Sequence, residues 1–165
     1  MACLRPVLLT LCLFSLQLFL VCVNGNAALI EKTCKTTLYY DVCVAALNSD
    51  HSSAKADVPG LAAIALKKSL GKATDTKNYI AGLGQDPAIS DCAENYDDAV
   101  DNLNQSVGAL ASRAFDDVNT WVSGAMTDAD SCEDGFEGKP PNPLGQRNED
   151  LNKLCSITLA IVKLI

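Results

Sequence analysis

The placement of its cysteines constrains this chain more than any other feature. Three of the eight cysteines fall within the first 22 residues, in an apolar N-terminal stretch. The other five are Cys34, Cys43, Cys92, Cys132 and Cys155. The first two are nine positions apart and the next two are forty apart, while the last stands alone. This pattern predicts two disulfides and one unpaired thiol.

Residues 1–25 have the organisation of a secretory signal peptide. Arg5 is the one charged residue in this segment, residues 7–23 are almost entirely apolar, and small residues follow at the expected cleavage site. Cleavage after Ala27 fits nearly as well, and an uncleaved signal anchor is the alternative to removal. We therefore expect a secreted protein whose mature part, residues 26–165, is one domain in an oxidising compartment.

The chain is acidic, which narrows the choice of partner. Its formal net charge is -7, and loss of Arg5 with the leader makes it -8. This balance disfavours nucleic acid, anionic membrane surfaces and polyanionic polysaccharide. After leader cleavage we expect no membrane association, and a basic or mixed-charge protein is the more natural partner.

Helical periodicity dominates the mature sequence, which is rich in Ala and Leu. A first long helix is predicted over Asp57–Leu83 and a second from Asp86, because each aspartate can act as an N-cap with a proline following in the first turn. The predicted core-facing residues of the first helix are Ala62, Leu66, Leu70, Ala73, Ile80 and Leu83. Those of the second are Ile89, Cys92, Ala93, Tyr96, Val100, Leu103, Val107 and Leu110.

Two further helices complete the pattern, one from about Asp116 and one from about Glu149. Between them, the prolines of residues 138–143 exclude helix and predict a rigid loop. Apolar residues near the first two mature cysteines indicate a short helical hairpin; they are Leu29, Ile30, Leu38, Tyr39, Val42 and Leu47. The predicted fold is all-α: an up-down-up-down four-helix bundle preceded by a short N-terminal helical hairpin, with two disulfides.

A disulfide between Cys92 and Cys132 would agree with this arrangement. Bridged residues on two antiparallel helices must be equidistant from the turn that joins them, which places the turn at Ser112, where the helical pattern is weakest. In the chain-entropy model, closing this loop contributes about 4 kcal/mol, against roughly 2–3 for a Cys34–Cys43 loop. Cys155 lies on an apolar stripe and is interpreted as a buried small hydrophobe, with a reactive or intermolecular thiol as the alternative.

The sequence offers no catalytic constellation. His51 is the single histidine and lies in a polar stretch that is typical of an exposed loop. A Gly-rich phosphate loop, an HExxH zinc pair and a CxxC redox motif are all absent from the sequence. We therefore predict a protein without catalytic residues, cofactor or bound metal.

Acidic residues form the more informative pattern. Glu94, Asp98 and Asp101 fall at i, i+4 and i+7, opposite the apolar face of the second helix. A second acidic group, including Glu133 and Asp134, flanks the fourth mature cysteine. Such rows are most often solvated helix faces, and the alternative is a docking face that steers a basic protein partner.

Asn104 begins an N-glycosylation sequon, Asn-Gln-Ser, in the middle of the second predicted helix. The sequence leaves open whether Asn104 carries a glycan, and a glycan there would crowd the acidic row.

Five sequence segments together carry a family resemblance. They are LIEKTC (29–34), YDVC (40–43), LNSD (47–50), CAENY (92–96) and CEDGF (132–136). The chain resembles plant invertase and pectin methylesterase inhibitors over essentially all of its mature length. The resemblance implies a four-helix bundle with an N-terminal helical hairpin, bridges Cys34–Cys43 and Cys92–Cys132, and a free Cys155. It also implies an inhibitor rather than an enzyme, a monomer that binds one carbohydrate-active enzyme and blocks its active-site cleft.

Within that family, the segments around the two later bridged cysteines look most like pectin methylesterase inhibitors. The target-binding residues that this resemblance implies are Glu94, Asp98, Asp101, Ser131 and Asp134. The expected partner is a pectin methylesterase. The expected location is the cell wall (apoplast), because no vacuolar sorting tail is evident after Ile165, and delivery to the vacuole is the alternative.

An acid invertase is the alternative partner. Some invertase inhibitors carry a Pro-Lys-Phe triplet that inserts toward the invertase active site, and the nearest counterpart here is Arg113-Ala114-Phe115. This counterpart lacks the proline and changes the spacing. The stretch between Leu83 and Cys92 is also shorter than in typical members. A third, lower-ranked interpretation is a helical binding protein without an enzyme target, which an open apolar cavity would favour.

Overall fold

The computed structural model describes residues 26–84 and 86–165, and all the regular secondary structure in these ranges is helical. The predicted signal peptide, residues 1–25, lies outside the described residues. Residues 26–34 are helical (α1). The elements that follow are α2 (Tyr40–Asn48), a 3₁₀ helix (His51–Lys55), α3 (Val58–Ile80), α4 (Pro87–Ala111), α5 (Phe115–Asp134) and α6 (Gly145–Val162).

Helices α3 to α6 form the predicted four-helix bundle. Each packs against two of the others: α4 lies between α3 and α5, and α6 closes the set by contacting both α3 and α5. The α1–α2 hairpin precedes the bundle, and α2 packs on α3 and α6. The predicted fold class is confirmed. None of the helices within the described ranges is long and apolar enough to cross a membrane.

Local capping explains where two of the long helices begin. The Asp57 carboxylate accepts a hydrogen bond of 2.9 Å from the Gly60 N–H, and the Asp86 carboxylate accepts one of 2.9 Å from the Ala88 N–H. Both N-caps are as predicted, and each satisfies a backbone donor that the first helical turn leaves free.

The start predicted for the last helix was wrong by four residues. Helix α6 begins at Gly145 rather than near Glu149. The Asn142 side chain accepts a hydrogen bond of 2.8 Å from the Leu144 N–H, and Leu144 is fully buried. The chain therefore enters the helix directly after the proline loop.

Most residues of the predicted apolar stripes are buried, but several apolar predictions were wrong, including Ile165, which was expected inside the bundle and is 41% exposed. Val107 is 45% exposed, because α4 buries Ser106 and Ala109 there instead. Leu38 and Val42 are exposed rather than packed around the first bridge.

Both predicted disulfides are present. Cys34 is bonded to Cys43, and Cys92 is bonded to Cys132 with their Cα atoms 4.7 Å apart. Ser112 is the C-cap of α4, three residues before α5 begins, so the turn lies where the bridge spacing placed it.

Among the described residues, Cys155 is the cysteine without a disulfide, and it is fully buried. Burial raises the pKa of its thiol to about 12, which suppresses the reactive thiolate. A buried hydrophobe is therefore the interpretation that the structure supports.

Candidate docking face

Helices α4 and α5 together present a strongly acidic surface. Their sequences contain no lysine, arginine or histidine. Helix α4 carries Asp91, Glu94, Asp97, Asp98 and Asp101, and α5 carries Asp116, Asp117, Asp128, Asp130, Glu133 and Asp134. The neighbouring α3 differs, with four lysines and one aspartate. We refer to the exposed surface of α4 and α5 as the acidic face.

The predicted row of Glu94, Asp98 and Asp101 is exposed along α4. From the first to the last of these residues the helix rises roughly 10 Å. On the α3 side, Lys77 forms an ion pair of 2.7 Å with Asp97. The hydrogen bond that Lys77 donates to the Asp97 carboxylate raises the pKa of Lys77, and the charge of Asp101 adds to that shift. The row therefore has a lysine beside it on the α3 side, whereas α5, on the other side, contains no basic residue.

Toward α5, the row lies near Asp128, an acidic residue that the sequence pattern did not single out. The Asn102 Nδ2 donates a hydrogen bond of 2.8 Å to Asp128. Burial raises the pKa of Asp128, and the charge of Asp98 raises it further, while the Asn102 hydrogen bond opposes both. Cys92 and Cys132 are equidistant from Ser112, and the same rule places residue 128 opposite residue 96. This spacing is the sequence signal that could have placed Asp128 beside α4.

A glycine allows this close approach of the two helices. A Cβ atom on Gly124 would lie 2.9 Å from the Asn102 Nδ2. Any larger residue there would displace the Asn102 side chain from Asp128.

The end of the bundle near the Cys92–Cys132 disulfide, here called the bridge end, contains a chain of polar contacts. The Tyr96 hydroxyl donates a hydrogen bond of 2.8 Å to Asn148, whose amide donates one of 2.7 Å to Glu133. The second Glu133 oxygen accepts one of 2.8 Å from Asn142. These contacts join α4, α5, α6 and the proline loop.

This network changes the interpretation of the second acidic group. Glu133 was grouped with Asp134 as surface charge, but both of its carboxylate oxygens hold structural hydrogen bonds. Tyr96 and Asn148 are almost fully buried, and burial raises the pKa of Tyr96. Ser131 and Asp134 are exposed on either side of these contacts.

The structure brings only part of the predicted site together. The disulfide places Ser131 and Asp134 beside the first turns of α4, where Glu94 lies two residues after Cys92. Asp98 and Asp101 continue the surface toward the middle of α4.

The other predicted contact residues lie where α4 turns into α5, here called the turn end. Arg113 is exposed with a φ of 60°, and Phe115 is partly buried at the start of α5. Asn104 is exposed on α4, between the acidic row and this turn.

Neither a hydrolytic site nor a metal site is assembled within residues 26–84 and 86–165. His51 is exposed in the 3₁₀ helix. Its neighbour Asp50 accepts hydrogen bonds from the backbone N–H and the hydroxyl of Ser52, which lower the pKa of that carboxyl. Three or more potential metal ligands do not cluster anywhere in those ranges.

Comparison with known proteins identifies the family. The sequence model of the plant invertase/pectin methylesterase inhibitors matches residues 28–161. This chain belongs to that family. Its members are inhibitors of enzymes rather than enzymes, and they act on pectin methylesterase or on invertase.

Named relatives of both kinds are similar to this chain. A pectinesterase inhibitor from Actinidia deliciosa is 36% identical, with 87% of this chain and 82% of that protein covered. An Arabidopsis thaliana protein named cell wall / vacuolar inhibitor of fructosidase 2 is 32% identical, with 90% and 89% covered.

Solved structures of family members share the fold. A crystal structure of a mutant pectin methylesterase inhibitor from Arabidopsis matches with a TM-score of 0.71 and 28% identity, covering 80% of this chain and 93% of that one. The helical bundle of this chain is thus the fold of solved members of its family.

Proposed function

We propose that this chain is a secreted inhibitor that binds a pectin methylesterase one to one and covers its active-site cleft with the acidic face. The observation that carries the proposal is the charge of the two helices that form this face: α4 and α5 together carry eleven carboxylates and no basic side chain. The relative at 36% identity and the similar crystal structure are both named as inhibitors of this enzyme class, which supports the same target.

Rigidity at the bridge end supports a role in recognition. The disulfide and the hydrogen bonds through Asn148 hold the backbone around Ser131 and Asp134 in one position relative to α4. A surface that is already ordered loses less conformational entropy on binding, so more of its contact energy appears as affinity.

The acidic row has a distinct role in this proposal. Exposed side chains such as Glu94 and Asp98 interact with a basic partner over long range, which accelerates encounter and fixes the orientation of docking. Closer contacts by Ser131 and Asp134 then set the register.

Titration of the purified protein against a pectin methylesterase and an acid invertase tests the target. We expect stoichiometric inhibition of the pectin methylesterase. The double variant Asp98→Lys/Asp101→Lys should raise the inhibition constant about tenfold or more, because the lysines repel the basic enzyme surface that the carboxylates attract. An equal change of net charge off the face, Asp41→Lys/Asp75→Lys, is the matched control.

Melting curves establish that both double variants fold. If the Asp98/Asp101 variant inhibits as strongly as the parent, the acidic face is not the contact surface. If only the invertase is inhibited, the proposed target is wrong.

An acid invertase is the second candidate target. Arg113 is exposed in a left-handed backbone conformation beside Phe115, and a relative at 32% identity is named as an inhibitor of fructosidase. In this case Arg113→Ala/Phe115→Ala should abolish invertase inhibition, whereas Asp98→Lys/Asp101→Lys should not.

The location of action is part of the same proposal. We propose removal of residues 1–25 and release to the cell wall, with the vacuole as the alternative destination. N-terminal sequencing of the secreted product tests cleavage, and mass spectrometry of the same sample measures whether Asn104 carries a glycan.

A further inference from the structure

An open apolar groove lies at the turn end, between the N-terminal half of α3 and the C-terminal end of α4. Its volume is about 780 Å³, within the range of about 300–1,000 Å³ that is typical of small-molecule pockets. The larger apolar side chains that line it are Leu66, Leu70, Val107, Leu110, Phe115 and Ile165.

The groove is lined by residues that the helical pattern assigns to the core. Leu70 and Val107 both belong to predicted core-facing stripes, yet Val107 is 45% exposed. Ala63 lines the groove from α3 and is too small to fill it. Apolar surface that remains in contact with water costs free energy in proportion to its area, so an apolar occupant would stabilise this region.

Two basic side chains line the same groove. Lys67 and Arg113 are the ionisable side chains that line the groove, and among the described residues no carboxylate side chain lines it. Lys67 contacts Asp50 at 3.2 Å but is 74% exposed, so its ammonium remains accessible. Within the described ranges, Arg113 has no carboxylate at ion-pair distance.

The backbone at Arg113 is a second, independent observation. Helix α4 ends with hydrogen bonds from the Ala114 N–H to the Ala109 carbonyl, 2.9 Å, and from the Arg113 N–H to the Leu110 carbonyl, 3.1 Å. This is the Schellman pattern, in which the left-handed position is usually glycine. An arginine there, with φ 60°, adopts a costly conformation that directs a cation to the groove.

We infer that this groove binds a free, single-chain amphipathic carboxylate of the fatty-acid class. The carboxylate lies at Arg113 and Lys67, because a guanidinium holds a carboxylate through paired, charge-assisted hydrogen bonds. The hydrocarbon chain lies along Leu70 and Val107. The acidity of the whole chain disfavours the alternative source of such a group, an anionic bilayer.

A displacement assay tests this inference. The protein is recovered from the medium of a secretion host, stripped of lipid and loaded with a fluorescent fatty acid. We expect palmitate to displace the probe and methyl palmitate to be about tenfold weaker or worse, because the ester has no charge for Arg113. Vesicles of phosphatidylcholine with phosphatidylserine should not bind the protein.

Variants separate the head-group contact from the apolar contact. Arg113→Ala should weaken palmitate binding about tenfold, and Arg113→Lys should retain most of it. Ala63→Phe should weaken binding by filling the groove, and it should fold because Ala63 is exposed. Lys139→Ala makes the same change of charge as Arg113→Ala at the bridge end and should bind as the parent does.

Several results would overturn the inference. These are no displacement by palmitate, equal affinity for the methyl ester, unchanged binding in both Arg113→Ala and Ala63→Phe, or binding to vesicles alone. Enzyme inhibition is measured on the same variants, so failure of the groove and failure of the proposed target are seen separately.

Discussion

The two ends of the bundle differ in how their helices are held. At the bridge end, a disulfide and the chain of hydrogen bonds from Tyr96 through Asn148 to Glu133 join three helices and the proline loop. At the turn end, α4 stops in a left-handed Arg113, and the groove between α3 and α4 is left open with Val107 exposed.

The difference suits the two ends of the bundle to the two proposed roles, enzyme docking and ligand binding. A docking surface gains from a fixed backbone, which the bridge end has, because less order must be created on binding. A ligand groove needs unfilled apolar space, which dense packing at every level of the bundle would remove.

Removing the Cys92–Cys132 disulfide should cause the largest loss of stability among these tests. Cys92→Ser/Cys132→Ser is expected to lower the free energy of unfolding by about 4 kcal/mol, because a forty-residue loop is released in the unfolded chain. Cys34→Ser/Cys43→Ser, with a nine-residue loop, should cost about 2.5 kcal/mol. Denaturant unfolding measures both, and a larger loss from the second pair would contradict the assignment of the rigid end.

The next effect concerns the polar network at the bridge end. Glu133→Gln should destabilise the fold by about 2 kcal/mol. Asn142 and Asn148 each donate to a different oxygen of Glu133, and in glutamine one of these atoms becomes an NH₂ group that cannot accept. The neighbouring Asp134→Asn should change stability by less than about 0.5 kcal/mol and instead weaken inhibition. Equal melting temperatures for the two variants would show that the network contributes nothing.

A smaller effect of opposite sign is expected at the turn end. Arg113→Gly should raise the free energy of unfolding by about 1 kcal/mol, because glycine adopts a positive φ without steric cost. Arg113→Ala, which keeps the Cβ atom, should leave stability nearly unchanged. If glycine destabilises the fold, the arginine side chain holds the turn together and the comparison of the two ends must be revised.

The smallest effect tests the acidic face itself through its pH dependence. The pKa of Asp128 is raised in the folded state, so its ionised form opposes folding at pH values above that pKa. Asp128→Asn should therefore increase stability at neutral pH by less than about 0.5 kcal/mol. The gain should disappear below about pH 3.9, where the carboxyl is protonated in both states. A gain that persists at low pH would assign the effect to packing rather than charge.

Sequence patterns predicted the features that depend on neighbours along the chain. The N-caps at Asp57 and Asp86 were correct because the capping carboxylate and the donor it satisfies are two or three residues apart. The turn at Ser112 was correct because a disulfide between antiparallel helices leaves one symmetric position.

Features that depend on contacts distant in sequence were missed. The early start of α6 follows from the burial of Leu144 in the core and from Asn142, whose side chain is also bound to Glu133 of α5. The hydrogen-bond partners of the Tyr96 hydroxyl and of Asp128 lie on other helices, so periodicity within one helix does not predict them.

The helical class, the helix starts with local caps, the bridge pattern and the exposed acidic row could be predicted from sequence, because each depends on spacing within one or two helices. The structural role of Glu133, the exposure of Val107 to a groove and the position of Arg113 beside that groove emerge only when the helices pack together. Those outcomes depend on how closely separate helices approach one another, and that distance is set by all four helices packing together.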